Sequence, residues 1–291
     1  MDVYRGVRRK QKKFRGRLVF LALVPIVIGA VAWFGMGYWQ NRTGPPPSDE
    51  AEGDTSSSQA DEEPVKPTLV NLQPVVDEWV AGQSGEFGIM VYDPANKVVI
   101  ASHNTGTQFF TASIYKLYVV YLALEDIEAG KHSLDEDFKF GKTRQQCLHD
   151  AIHSSDSPCA EALLNEIGQE EVTARLKAME LAGTSFPAFL TNAQDAMFVL
   201  QRLHARFDLN ENSAKLILDA MKTQIYRDGL AKGMPEAAVA TKVGFSETPH
   251  YHETGVITLP NGREYLVSFF SKGASSRAVA DFGTTIYQAL R

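Results

Sequence analysis

The sequence predicts an α/β (α+β) domain. It should contain an antiparallel five-stranded sheet flanked by helices, with an inserted all-helical lobe, preceded by one transmembrane helix. Three observations carry this. Strand signals fall into two groups, Glu86–His103 and Val239–Ser271, each broken by a hairpin turn. Between them, from about Glu136 to Met234, apolar residues recur at helical spacing. Ahead of both, Leu18–Trp39 runs 22 residues without a charge, about 33 Å as a helix and enough to cross a bilayer's hydrocarbon core.

Taken in order, residues 1–17 form a basic segment and 18–39 the expected anchor. Residues 1–42 carry a net charge of +8, 43–66 carry −6 and the remainder −8. Basic residues before an apolar span place the N-terminus in the cytoplasm. The expectation is a single-pass cell-membrane protein, in contact with the lipid bilayer through residues 18–39 and with its catalytic domain outside the cytoplasm. Residues 40–67 read as an acidic, Pro-rich linker, because Gly44–Pro67 has no aromatic residue and one valine to bury. An acidic outer domain excludes nucleic acid as a partner.

Residues 68–291 have ordinary globular composition. Leu72, Val75, Val76 and Trp79 predict an opening helix over Leu69–Ala81, and Glu86–Asp93 and Lys97–His103 pair across the turn YDPANK. Ala112–Ala129 is helical and ends at Gly130. The lobe has helices near Cys159–Ile167, Val172–Leu181, Ala193–Leu203 and Ser213–Met221. Strands return at Val239–Val243, His252–Leu259 and Glu264–Ser271, the last two joined at Pro260-Asn261-Gly262. Val279, Phe282, Ile286 and Leu290 share one face of a closing helix, Ser276–Leu290.

Candidate chemistry begins at TASIYKL. Ser113 stands where a loop enters a long helix, and Lys116 lies one turn on, able to take the hydroxyl's proton. Spacing alone also fits a helix cap beside a solvated lysine. In HSSDSPCAEALL, Ser155 could relay a proton and Asp156 would cap the following helix. Lys242-Val243-Gly244 ends a strand, where the lysine supplies positive charge and the glycine lets the chain pass close to a ligand. Cys147 and Cys159 flank Ser155, twelve residues apart, and are expected to be bridged; two separate buried thiols are the alternative. No CxxC or HExxH spacing points to a metal, and no cofactor is implied. His149, His153, His250 and His252 lack ligand spacing. His250 and His252 lie near the expected cleft mouth, where a substrate contact is the alternative to an ordinary satisfied or solvated histidine.

In this order and setting, the three motifs resemble those of the penicillin-recognising serine enzymes, specifically the class A β-lactamase-like group. The resemblance covers roughly residues 70–291 and includes TNAQDAMFVLQRL, DGLAKGMPEAAVATKVG and FFSKG. It implies a β-lactamase-like fold and an acyl-enzyme on Ser113, with Lys116 and Ser155 moving the proton and Lys242 steadying the relay and a substrate carboxylate. The backbone amides of Ser113 and Phe245 would form the oxyanion hole. Substrate would lie against Ser157, Val243, Gly244 and Phe245.

There are three departures from the family pattern. Ser157 replaces an amide. Val243 offers no hydroxyl, and Phe245 adds bulk, although Ser246 could compensate. The family's loop glutamate, which activates the deacylating water, has no counterpart in AGTSFPAFL. The nearest acids, Glu180 and Asp195, read as helix-end and helix-start residues. The expected function is membrane-anchored β-lactam hydrolysis with slow deacylation. The alternatives are a D-alanyl-D-alanine carboxypeptidase or penicillin-binding protein acting on peptidoglycan peptides, and a degenerate cell-wall-binding domain.

Overall fold

In the computed structural model, residues 69–291 are described, Pro187 and Pro249 excepted. Helix α1 (Gln73–Ala81) leads into the hairpin β1 (Glu86–Asp93) and β2 (Val98–His103). A short strand β3 (Phe109–Phe110) and a 3-10 turn (Ala112–Ile114) enter α2 (Tyr115–Glu128). The lobe follows as α3 (Arg144–His153), α4 (Ser157–Ile167), α5 (Gln169–Ala178), β4 (Leu190–Thr191), α6 (Ala193–Ala205), α7 (Glu211–Lys222) and α8 (Leu230–Gly233). Strands β5 (Ala238–Phe245), β6 (Tyr251–Thr258) and β7 (Glu264–Lys272) and helix α9 (Ser276–Leu290) complete the domain.

The sheet is antiparallel and five-stranded, in the order β2-β1-β7-β6-β5. Its register shows why the two strand groups meet. Phe87, Ile89 and Val91 of β1, with Val267 and Phe269 of β7, point to the face covered by α1, α8 and α9. Met90, Leu266 and Phe270, one residue out of phase, join the core beneath α2 and the lobe. This two-residue alternation commits each central strand to two apolar layers. On the α9 side, Trp79 stacks edge-on with Phe87, Phe269 and Phe282 at 5.1–5.8 Å between centroids. Its indole N–H donates to Asp281 at 2.9 Å.

The inserted lobe and the strand pairs match the sequence-based expectation, with local differences. Helix α1 starts at Gln73, not Leu69, because Asn71 takes the Gln73 N–H and Pro74 occupies the first turn. Strands β3 and β4 pair only two residues each, too few for a periodic signal. The distinct helix α3 carries a capping box, with Thr143 and Gln146 satisfying each other's backbone N–H.

The expected transmembrane helix is corrected. Among the described residues no helix is long and apolar enough to cross a membrane. The longest, α9, has 15 residues, about 22 Å at helical rise against a core of about 30 Å. The segments 1–17, 18–39 and 40–67 lie outside the described residues. The fold is therefore the five-stranded sheet, its flanking helices and the lobe. The membrane anchor, the bilayer contact and the single-pass cell-membrane location that rested on that helix are withdrawn.

Cys147 of α3 and Cys159 of α4 form a disulfide. It closes the loop that contains Ser155, which the chain-entropy estimate makes worth about 3 kcal/mol. The paired substitution Cys147→Ser and Cys159→Ser is expected to lower unfolding stability by about 2–3 kcal/mol, read from the urea midpoint. An unchanged midpoint would assign the bridge no role in stability.

Candidate active site

Ser113 is the middle residue of the 3-10 turn between β3 and α2. The preceding Ala112 has φ 42°, a left-handed conformation that a residue with a Cβ adopts only at a cost. That residue turns the chain from β3 into the helix, while Thr111 N–H donates to Phe189 O at 2.8 Å and anchors the entry. One helical turn on, Lys116 is 1% exposed.

Lys116 Nζ points towards the loop between α3 and α4. It donates to the carbonyl and, at 3.2 Å, to the hydroxyl of Ser155, and lies 2.9 Å from Ser157 Oγ. Lys242, fully buried on β5, approaches from the other side, 3.0 Å from Ser155 Oγ and 2.7 Å from Val243 O. Two amines thus converge on one hydroxyl. Burial lowers Lys116 to about 8, against the opposing pull of Asp156 and Glu161. Burial and the neighbouring Lys116 lower Lys242 well below its ordinary range. No hydrogen bond joins Ser113 Oγ to Lys116 Nζ among the described residues.

The loop that presents Ser155 is tightly held. Ser155 itself is left-handed at φ 58°. Asp156 caps α4 by accepting from Cys159 N at 2.8 Å, and its own N–H donates to Asp150 O at 3.0 Å. Lys142 pairs with Asp150 at 2.8 Å and with Asp156 at 3.3 Å. The disulfide joins the helices on either side.

Gly244 passes so close to the nucleophile's turn that a Cβ there would stand 2.9 Å from Ser113 N and 3.0 Å from Ile114 N. Only a residue without a side chain lets β5 run beside these amides. Phe245 is 49% exposed and lines a cavity of about 500 Å³ with Ser113, Tyr115, Ser157, Glu161 and Phe189. Val243 is buried, pairs across the sheet with Glu253 and does not line this cavity.

Several neighbours were not singled out from sequence. Tyr115, whose place in the sequence fits either helix packing or shaping of the pocket, lines the cavity with Phe189, and both rings meet the buried Phe186, the three pairs lying edge-on at 5.1–6.4 Å. Glu161 lies four residues after Ser157, a helical spacing that could have revealed it. His252 does not reach the cavity. It is fully buried, with Nδ1 accepting from Ser271 N at 3.1 Å and Nε2–H donating to Phe110 O at 2.8 Å. These partners require the neutral ring, and burial lowers its pKa to about 3. The histidine thereby ties β3, and with it the approach to Ser113, to the sheet.

The chain matches the family model described as the β-lactamase enzyme family over residues 71–290. No curated protein matches it. Among solved structures it is similar to PBP-A, at 16% identity and TM-score 0.70, covering 77% of this chain and 98% of that one. A β-lactamase from Chitinophaga pinensis DSM 2588 gives 18% identity and TM-score 0.68 over 74% of this chain and 98% of its own. An ancestral class A β-lactamase gives 21% and 0.68 over 75% and 100%. At these identities the likeness is one of fold, and it agrees with the family match. The chain belongs to the β-lactamase enzyme family, as a serine β-lactamase-like hydrolase.

Proposed function

We propose that the protein performs acyl transfer from a β-lactam to Ser113. The observation that supports this best is the meeting of two buried lysines on Ser155 Oγ beside a serine that opens a cavity. A neutral Lys116, one turn from Ser113, takes the hydroxyl's proton as Oγ bonds to the lactam carbonyl carbon. The carbonyl oxygen gains charge in front of the Ser113 and Phe245 amides, beside which Gly244 allows close approach. As the carbon–nitrogen bond breaks, the proton passes from Lys116 through Ser155 to the leaving nitrogen. Lys242 holds Ser155 from behind. It is fully buried and does not line the cavity, so its proposed role falls on the relay and not on direct contact with substrate. Asp156 acts through the helix cap that fixes Ser155 and Ser157. Ser157 and Phe245, which border the cavity, are the proposed substrate contacts. Val243, on the strand's other side, would contribute backbone only.

Intact mass after incubation with a fluorescent penicillin should show one covalent adduct, lost in Ser113→Ala. No adduct in the unaltered protein would overturn this reading and favour a wall-binding domain without turnover. A peptide ending in D-alanyl-D-alanine, offered in parallel, separates peptidase from β-lactamase action.

The base must be neutral to work, and Lys116 is lowered to about 8. Its neutral fraction therefore grows roughly tenfold per pH unit below that value. Acylation should rise with pH on this slope and level off above about 8, followed by stopped-flow fluorescence. A rate independent of pH between about 6 and about 9 would exclude Lys116 as the base.

A further inference from the structure

Glu161 and Ser157 leave α4 on the same face, one turn apart. Ser157 Oγ meets Lys116 Nζ, and Glu161 continues that wall into the cavity that Ser113 opens. Its charge is felt by the groups around the nucleophile. Burial raises the Tyr115 phenol to about 12, with the Glu161 carboxylate adding to the shift. The same carboxylate opposes the lowering of Lys116. Glu161 is exposed, and among the described residues no hydrogen bond or ion pair occupies its carboxylate. Asn165 and Gln169 line the same cavity and offer amides to a water molecule.

The other acids near this side are not available. Asp195 is 4% exposed and held by Thr184 Oγ1 at 2.7 Å, in a buried chain that continues through Thr191 to Tyr118. Glu180 is exposed at the end of α5 and does not line the cavity. The connection from α5 to α6 closes on itself through Ser185 and Leu190 and presents Phe189 to the cavity. Glu180 and Asp195 are the acids close to that connection in sequence. The free carboxylate enters from α4 instead.

We propose that Glu161 is the catalytic base for release of the acyl group, a role that rests on the acyl-transfer reading above. A water molecule between Glu161 and the ester gives a proton to the carboxylate as its oxygen bonds to the ester carbonyl carbon. The tetrahedral intermediate collapses with cleavage of the bond from that carbon to Ser113 Oγ. The proton held by Glu161 returns to Oγ, leaving a carboxylic acid product and a restored serine.

The test follows adduct formation and loss on the full chain by rapid-quench intact mass with a chromogenic cephalosporin, for the unaltered protein, Glu161→Gln and Glu161→Asp. The glutamine variant should acylate at least as fast, because removing the carboxylate lets burial lower Lys116 further. Its adduct should persist on the order of 10²-fold longer, the lower range of general-base assistance. The aspartate variant, a carboxylate one methylene shorter, should fall between. Equal adduct lifetimes in all three would overturn the proposal. So would slower acylation with unchanged release in Glu161→Gln, which would assign the carboxylate to substrate binding. No adduct on the unaltered protein would overturn the acyl-transfer reading itself, and this proposal with it.

Discussion

Two buried lysines share one serine hydroxyl, and the rest of the site is arranged around that constraint. Lys116 and Lys242 each lie within 3.2 Å of Ser155 Oγ, so their nitrogens are no more than about 6 Å apart. At an effective dielectric near 20, two full charges at that separation repel by about 3 kcal/mol, in addition to the cost of removing both from water. A free lysine at neutral pH is a poor base. Here burial drives both amines towards neutrality, repulsion from Lys116 adds to the shift at Lys242, and Asp156 and Glu161 limit the shift at Lys116. The same proximity that would destabilise an ordinary core makes an amine available to accept a proton.

Such an arrangement lasts only if its three strands of support are rigid. Lys116 is fixed by α2, whose start is bent by Ala112 and tied through Phe110 to the buried His252. Ser155 is held by the disulfide, the Asp156 cap and Lys142. Lys242 is fixed by β5, an edge strand in full register with β6 from Ala238 to Phe245. Gly244 then sets how closely that strand can approach Ser113. The catalytic arrangement is thus assembled from the sheet, the nucleophile's helix and the lobe, which explains why the strands come from both ends of the domain and the lobe from its middle.

Much of this was legible in the linear sequence. The strand signals of β1 and β7, the apolar face of α9 and the Asp-initiated helix after Ser155 are local patterns, and local patterns survive without a structure. The SxxK pair and the two later motifs gained meaning from their order. What was not legible depended on depth and direction. Val243 follows Lys242 in sequence but is turned to the other side of the strand. His252 reads as a cleft-mouth residue until its two backbone partners are seen. Glu161 is distant in sequence from the connection between α5 and α6, and only the packing of the lobe brings α4 to the same cavity. The apolar run at 18–39 lies outside the described residues, among which no helix is long and apolar enough to cross a membrane.

The central claim is that Lys116 and Lys242 are both displaced from ordinary lysine behaviour by their burial on Ser155. Carbon-13 NMR titration of lysine ε-methylene groups measures this directly, with Lys116→Arg and Lys242→Arg used for assignment. The account predicts two resonances titrating below the rest, that of Lys116 near 8. If every lysine titrated together near the ordinary value of about 10.4, the lysine pair would be fully charged and the proposed base would not exist.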